Sequence, residues 1–209
     1  MWGERTVEVP WFLSKLKAGS SLDIGSAESC YVNEILSKDS TKLVLNDIRD
    51  FNTHKSDSRV TCLVGDIRKY KPADIGTFDN VLCISTLEHI ALSAYGQHRE
   101  ISLKDSAFYP QVKAFAHMMK FVAKEGQAIL TIPYGKFEDC GWVIVYDRGM
   151  VREITAPYRV IEETYFTLTN RKSDTWARVK ESRCPRKGMD HYNGDMRANS
   201  VCCLVLGKK

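Results

Sequence analysis

Apolar residues recur along the chain in short runs, most of them closed by an acidic, polar or glycine residue. The runs predict strands over 20–24, 42–46, 60–64, 80–85, 127–132, 158–168 and 200–206. Between them lie stretches that predict helices over 10–17, 30–38 and 106–123. In the last of these, Val112, Phe115, Ala116, Met119 and Val122 return at helical spacing. Alternating strands and helices imply an α/β fold with a parallel sheet covered on both faces. Only a charged, Pro- and Gly-containing insertion at 171–199 separates the last two strands, so an antiparallel hairpin is expected there. No repeat, low-complexity tract or linker divides the chain. Residues 1–209 therefore read as one domain, with 1–19 as an N-terminal cap segment.

Composition narrows the class. The 209 residues are 44% hydrophobic and 27% charged, ordinary values for a globular protein with a sizeable core. The longest apolar runs, such as 128–132 and 201–206, are far too short to span a bilayer. Residues 1–10 carry no signal-peptide pattern, so a cytoplasmic protein is expected. None of the seven cysteines forms a Cys-x-x-Cys pair, and reduced thiols are expected rather than disulfides or zinc. The net charge is +4, and 171–197 alone holds eight Lys/Arg against four Asp/Glu. A solvated loop is the first reading of that segment, and an anion-binding surface the second.

Chemistry concentrates where the predicted strands end. In open α/β sheets ligands bind at the carboxyl ends of the strands. The first strand ends in Asp23-Ile24-Gly25-Ser26-Ala27, the second at Asp47-Ile48 and the third at Gly65-Asp66-Ile67. The fourth runs into Ser85-Thr86-Leu87-Glu88-His89. Glycine at the first strand end lets a ligand approach the backbone. A carboxylate there would repel a dinucleotide pyrophosphate, whereas S-adenosylmethionine brings an ammonium and a sulfonium that it attracts. Asp47 follows Asp23 at the spacing of a carboxylate that accepts ribose hydroxyls.

With these residues in view, the chain from about 11 to 208 resembles the class I S-adenosylmethionine-dependent methyltransferases. The motifs that carry the likeness are the "DIGSAES"-like first turn and the "STLEHI" fourth-strand segment. Lys124-Glu125-Gly126-Gln127 stands where the family often has Lys-Pro-Gly-Gly. The resemblance implies a three-layer, Rossmann-like fold with a seven-stranded sheet of order 3-2-1-4-5-7-6 and the seventh strand antiparallel. It also implies roles: Asp23 and Gly25 at the methionine end, Asp47 at the ribose, Asp66 with Ile67 at the adenine, and Ser85 beside the methionine moiety. Ser26, Ala27 and Ile48 complete the implied cofactor contacts. Ala27 and Ser29 replace glycines that family members often carry.

Methyl transfer needs alignment, plus a base where the acceptor must lose a proton. His89 is the candidate base, with Glu88 either orienting it or capping a helix. Some metal-dependent relatives use Glu-x-x-Glu-His; Ser85 replaces the first glutamate here, and no metal is expected. Tyr95, Tyr134 and Trp142 are candidate walls of an acceptor pocket, with His98 a weaker one. Trp142 and Tyr146, four apart, would also suit a helical pair in a cap. The expected activity is methylation of a small molecule, most naturally at oxygen. Two rivals are a nucleic-acid methyltransferase using the basic segment, and a cofactor-binding scaffold without catalysis.

Overall fold

The computed structural model describes residues 3–27, 29–38, 40–51, 57–93, 109–192 and 195–209. Its first strands are β1 (Gly19–Ile24), β2 (Ser40–Asp47), β3 (Val60–Val64), β4 (Phe78–Ile84) and β5 (Val122–Pro133). After them come β6 (Glu138–Asp139), β7 (Ile144–Val145), β8 (Arg159–Asn170) and β9 (Thr175–Val179). The last are β10 (Met189–Tyr192), β11 (Asp195–Ala198) and β12 (Ser200–Gly207). The main sheet has the order β3-β2-β1-β4-β5-β12-β8-β9. Strands β1 to β5 pair in parallel, while β12 runs antiparallel to both β5 and β8.

The expected seven-strand order is therefore present, with one addition. Strand β9 lies inside the segment read as an insertion and extends the sheet antiparallel to β8. A bare β8 edge would leave a row of backbone groups unpaired. Trp176 and Val179 of β9 also add apolar cover on opposite faces of the sheet.

The central strands β1, β4, β5 and β12 are buried on both faces because two helical layers cover them, while the edge strands β3 and β9 stay partly exposed. In β12, Cys202, Leu204 and Leu206 face one core, while Val201, Cys203 and Val205 face the other. The first core is closed by α4 (Tyr109–Met118) and α5 (Arg148–Thr155), through Ala114, Phe115, Met118, Met150, Val151 and Ile154. The second is closed by α1 (Arg5–Leu13) and α2 (Val32–Leu36), through Phe12, Val32 and Ile35. A short α3 (Pro72–Ile75) precedes β4.

Two local expectations are corrected. The first helix runs over Arg5–Leu13 instead of 10–17, with Pro10 inside it, and Trp11 and Phe12 enter the core. The Trp142–Tyr146 helical pair does not form. Gly141, at φ +86°, turns the chain in a β6–β7 hairpin, and Tyr146 pairs with Tyr134 in an isolated bridge.

Candidate functional site

Four parallel strands release the chain on the same edge of the sheet, and a cleft of about 310 Å³ opens there. Its walls include Gly25 after β1, Asp47 and Ile48 at β2, Asp66 and Ile67 after β3, and Ser85 and His89 after β4. Seven of the residues singled out in the sequence thus share one cavity.

Gly25 sets the first turn. Its φ is +80°, and an added Cβ would lie 2.2 Å from Thr86 Oγ1. Only glycine fits both the conformation and the space. The Gly25 and Ser26 amides donate to Asn46 O at 2.8 and 3.2 Å, and the Ala27 amide donates to Asp47 Oδ2 at 3.0 Å. Ser26 is buried, and its hydroxyl donates to Asp23 O at 3.1 Å. Ser26 and Ala27 therefore shape the turn from behind and do not line the cleft.

Asp23 is fully buried beneath this turn and also does not line the cleft. Ser29 Oγ donates to its Oδ2 at 3.1 Å, and its Oδ1 has no hydrogen-bond partner among the described residues. Burial pushes its pKa up to about 7, against the pull of Ser29, Arg5 and Tyr31.

Helix α1 contributes what the sequence did not reveal. Glu8 is buried, and Ser85 Oγ lies 2.8 Å from each of its carboxylate oxygens. Arg5 Nη1 stands 3.9 Å from Glu8 and donates to Ile84 O at 3.2 Å, and Arg5 lines the cleft. Burial raises Glu8 to about 7, Arg5 lowering it in part. Ser85 is itself strained, with φ +43°, and its amide donates to Thr131 Oγ1 at 3.0 Å. A non-glycine residue in this region is sustained only by surrounding contacts and is found preferentially at functional sites.

Past β4, a 3-10 turn over Leu87–His89 separates the two candidate catalytic residues. Glu88 points into the protein, buried, with Oε2 unpartnered among the described residues and its pKa raised by burial. It neither caps the turn nor stands as the hydrogen-bond partner of His89 Nδ1. That nitrogen lies 2.8 Å from Trp142 O. A carbonyl only accepts, so Nδ1 carries the hydrogen and the neutral ring keeps its lone pair on Nε2. The imidazole stacks on the Trp142 indole at 5.3 Å and 14°. Burial lowers the His89 pKa, favouring the neutral form.

The strand-end carboxylates at β2 and β3 are each held by the arginine two residues on. Asp47 accepts from the Arg49 amide at 2.9 Å and from Arg49 Nε at 3.3 Å. Asp66 accepts from the Arg68 amide at 2.9 Å and from Arg68 Nη2 at 2.6 Å. Both arginines line the cleft. The Asp-x-Arg spacing is visible in the sequence and marks residues that strand-end reasoning passes over.

Two pocket candidates sit elsewhere. Tyr134 donates to Glu181 Oε1 at 2.6 Å and packs edge-on against Tyr165, away from the cleft lining. Trp142 acts behind His89 and does not wall the cavity. Tyr95 and His98 lie outside the described residues. No group of metal-ligating side chains is found among the described residues.

No protein-family model and no curated protein matches the chain. Solved structures do resemble it. One is the N-methyltransferase NodS of Bradyrhizobium japonicum WM9 in complex with S-adenosyl-l-homocysteine, at TM-score 0.60 and 14% identity, covering 98% of this chain and 85% of that one. Another is the 1,6-didemethyltoxoflavin-N1-methyltransferase of Burkholderia thailandensis, at 0.61 and 10%, covering 98% and 77%. A third is the magnesium protoporphyrin IX methyltransferase of Synechocystis PCC 6803 with bound SAM, at 0.54 and 11%, covering 96% and 76%. The architecture is that of the Rossmann-like methyltransferase fold.

Proposed function

We propose that this protein binds S-adenosylmethionine in the strand-end cleft and transfers its methyl group to a small-molecule acceptor. One observation carries the reading. Among the described residues, three buried carboxylates, Glu8, Asp23 and Glu88, surround a single guanidinium, that of Arg5, and Asp23 Oδ1 has no partner. Burial disfavours the charged form of each of these carboxyls, and an arriving cation would offset that cost and favour ionisation. A ligand with an ammonium and a sulfonium would supply one. The close backbone approach at Gly25 fits the methionine end, and Asp23, buried beneath that turn, acts on a cation there through its field rather than by contact. Asp47 fits the ribose, and Asp66 with Ile67 the adenine.

When bound, the cofactor supplies a methyl group on a positively charged sulfur. The chain's own residues supply the rest. Arg5 and Glu8 fix Ser85 at the methionine end. His89 offers Nε2 as the proton acceptor, with Nδ1–H anchored on Trp142 O. An oxygen acceptor suits this arrangement, because a neutral hydroxyl is a weak nucleophile until a base removes its proton. The likeness to the 1,6-didemethyltoxoflavin and magnesium protoporphyrin IX methyltransferases favours a small acceptor. Of the eight basic residues of 171–197, Arg171 and Lys187 are both paired with Asp190.

Calorimetric titration with S-adenosylmethionine and S-adenosylhomocysteine tests the proposal. Both should bind, and Asp47→Ala should weaken binding by about 10- to 100-fold, the worth of hydrogen bonds to a charged acceptor. Failure of both ligands to bind sinks it.

A further inference from the structure

Strand β9 is the addition to the expected sheet order, and the turn that leads into it reaches the start of helix α1. That helix begins without a cap of its own, because Glu4 at the N-cap makes no side-chain capping bond. The acceptor comes instead from Asp174, the last residue before β9 and 171 positions from Gly3. Asp174 Oδ2 accepts from the Gly3 amide and, at 3.4 Å, from the Thr6 hydroxyl. Its Oδ1 accepts from Trp176 Nε1 at 3.2 Å, and the Trp176 ring packs on the core that α1 closes. Asp174 is buried and holds φ +49°, a conformation that aspartate adopts more readily than most residues.

The far end of α1 is tied to the same strand pair. Glu162 of β8 accepts from Trp11 Nε1 at 3.3 Å and pairs with Lys15 Nζ at 2.7 Å. The two anchors differ in what lies beside them. Arg5 and Glu8, in the turn next to Asp174, are the residues that α1 sends to the cleft, Glu8 to Ser85 Oγ at 2.8 Å and Arg5 to Ile84 O at 3.2 Å. Bonds of this length are lost on a displacement of about 1 Å. The buried apolar residues of α1, Val9, Trp11 and Phe12, all lie beyond Glu8. Packing therefore secures the rest of the helix and leaves its first turn to hydrogen bonds.

We infer that Asp174 is a positioning residue for the cofactor: from the β8–β9 turn it fixes the start of α1 and so holds Arg5 and Glu8 at the methionine end of the cleft. This role rests on the proposed cofactor placement. Asp174 does not line the cleft and acts only through the helix. When the first turn frays, only a fraction of molecules is competent to bind, and apparent affinity falls by that fraction. By linkage, a bound cofactor orders the first turn in return.

The test is calorimetric titration of S-adenosylhomocysteine into the wild type, Asp174→Ala and Glu162→Gln, at a temperature where each is folded, with hydrogen exchange of α1 followed alongside. Asp174→Ala should weaken binding by about tenfold, as when a lost cap leaves the first turn formed about one time in ten. Glu162→Gln loosens the far end and should bind as the wild type does. In Asp174→Ala the amides of residues 6–8, which bond to Gly3 O and Glu4 O, should exchange faster. Saturating S-adenosylhomocysteine should restore their protection, a response that a purely structural anchor would not give. Unchanged affinity in Asp174→Ala overturns the inference while leaving the proposed function standing, and so do equal losses in the two variants. If Asp174→Ala does not fold, the wild type decides: the ligand must slow exchange over residues 6–8, and unchanged exchange there overturns the inference. No binding of S-adenosylhomocysteine to the wild type overturns the proposed function and this inference with it.

Discussion

Replacing Asp23 by asparagine separates the cost of the site from its use. Asp23 is buried, with a pKa raised from 3.8 to about 7 by desolvation. A group whose folded pKa lies above its unfolded one contributes stability that is present below the unfolded value. That stability is lost as pH rises through the folded value. Between pH 5 and pH 8 this linkage removes about 2–3 kcal/mol of stability from the wild type. A side-chain amide does not titrate, so the loss from this position should vanish in Asp23→Asn. The new amide group would stand where Oδ1 now has no partner, at a cost of about 1–3 kcal/mol. That cost is the same at every pH and shifts the offset, not the slope. Glu8 titrates in both proteins and cancels in the comparison. Urea unfolding of both proteins at pH 5 and 8 is the assay, with the stability difference moving by about 2–3 kcal/mol in favour of the variant at the higher pH. Wild-type affinity for S-adenosylmethionine should rise through pH 7 as Asp23 ionises, and the variant should bind weakly with no such rise. Stability profiles that run parallel in the two proteins would refute the reasoning.

Other perturbations probe the remaining parts of the site. Gly25→Ala forces a side chain into positive φ and onto Thr86; a loss of at least about 1–3 kcal/mol should appear in thermal unfolding, together with loss of cofactor binding. His89→Ala should lower the methyl-transfer rate by about 10²- to 10⁴-fold without matching loss of cofactor affinity, once an acceptor is in hand. Trp142→Ala uncovers the His89 ring, so its pKa, now lowered by burial, should move back up in an NMR titration. Tyr134→Phe removes the hydrogen bond to Glu181, costing about 1 kcal/mol of stability while leaving cofactor affinity unchanged.

Much of the fold is legible in the sequence because strand periodicity and strand-end chemistry are local. The β1–β5 segments, the antiparallel return of β12 and the placement of Gly25, Asp47, Asp66 and Ser85 at one edge follow from apolar runs and their closing residues. Less local features escape. Strand β9 hides in a charged segment, since an edge strand needs only alternate apolar positions such as Trp176. Helix α1 starts earlier than its pattern suggests, because Pro10 reads as a helix opening. Tyr134 and Trp142 carry aromatic rings suited to a pocket, but where a ring points depends on its distant partners, Glu181 and His89.

What the order of residues determined by itself is a sheet with acidic strand ends, because each strand and its closing residue lie within a few positions of one another. Only the tertiary structure decided how those ends are used. It brought Arg5 and Glu8 from the first helix to Ser85, 77 residues later for the Glu8 contact, and turned Glu88 inward and His89 toward the cleft. It also buried Asp23 with one oxygen unpartnered among the described residues. Burial and long-range contact set the charge balance of the site, and neither is written in any short stretch of sequence.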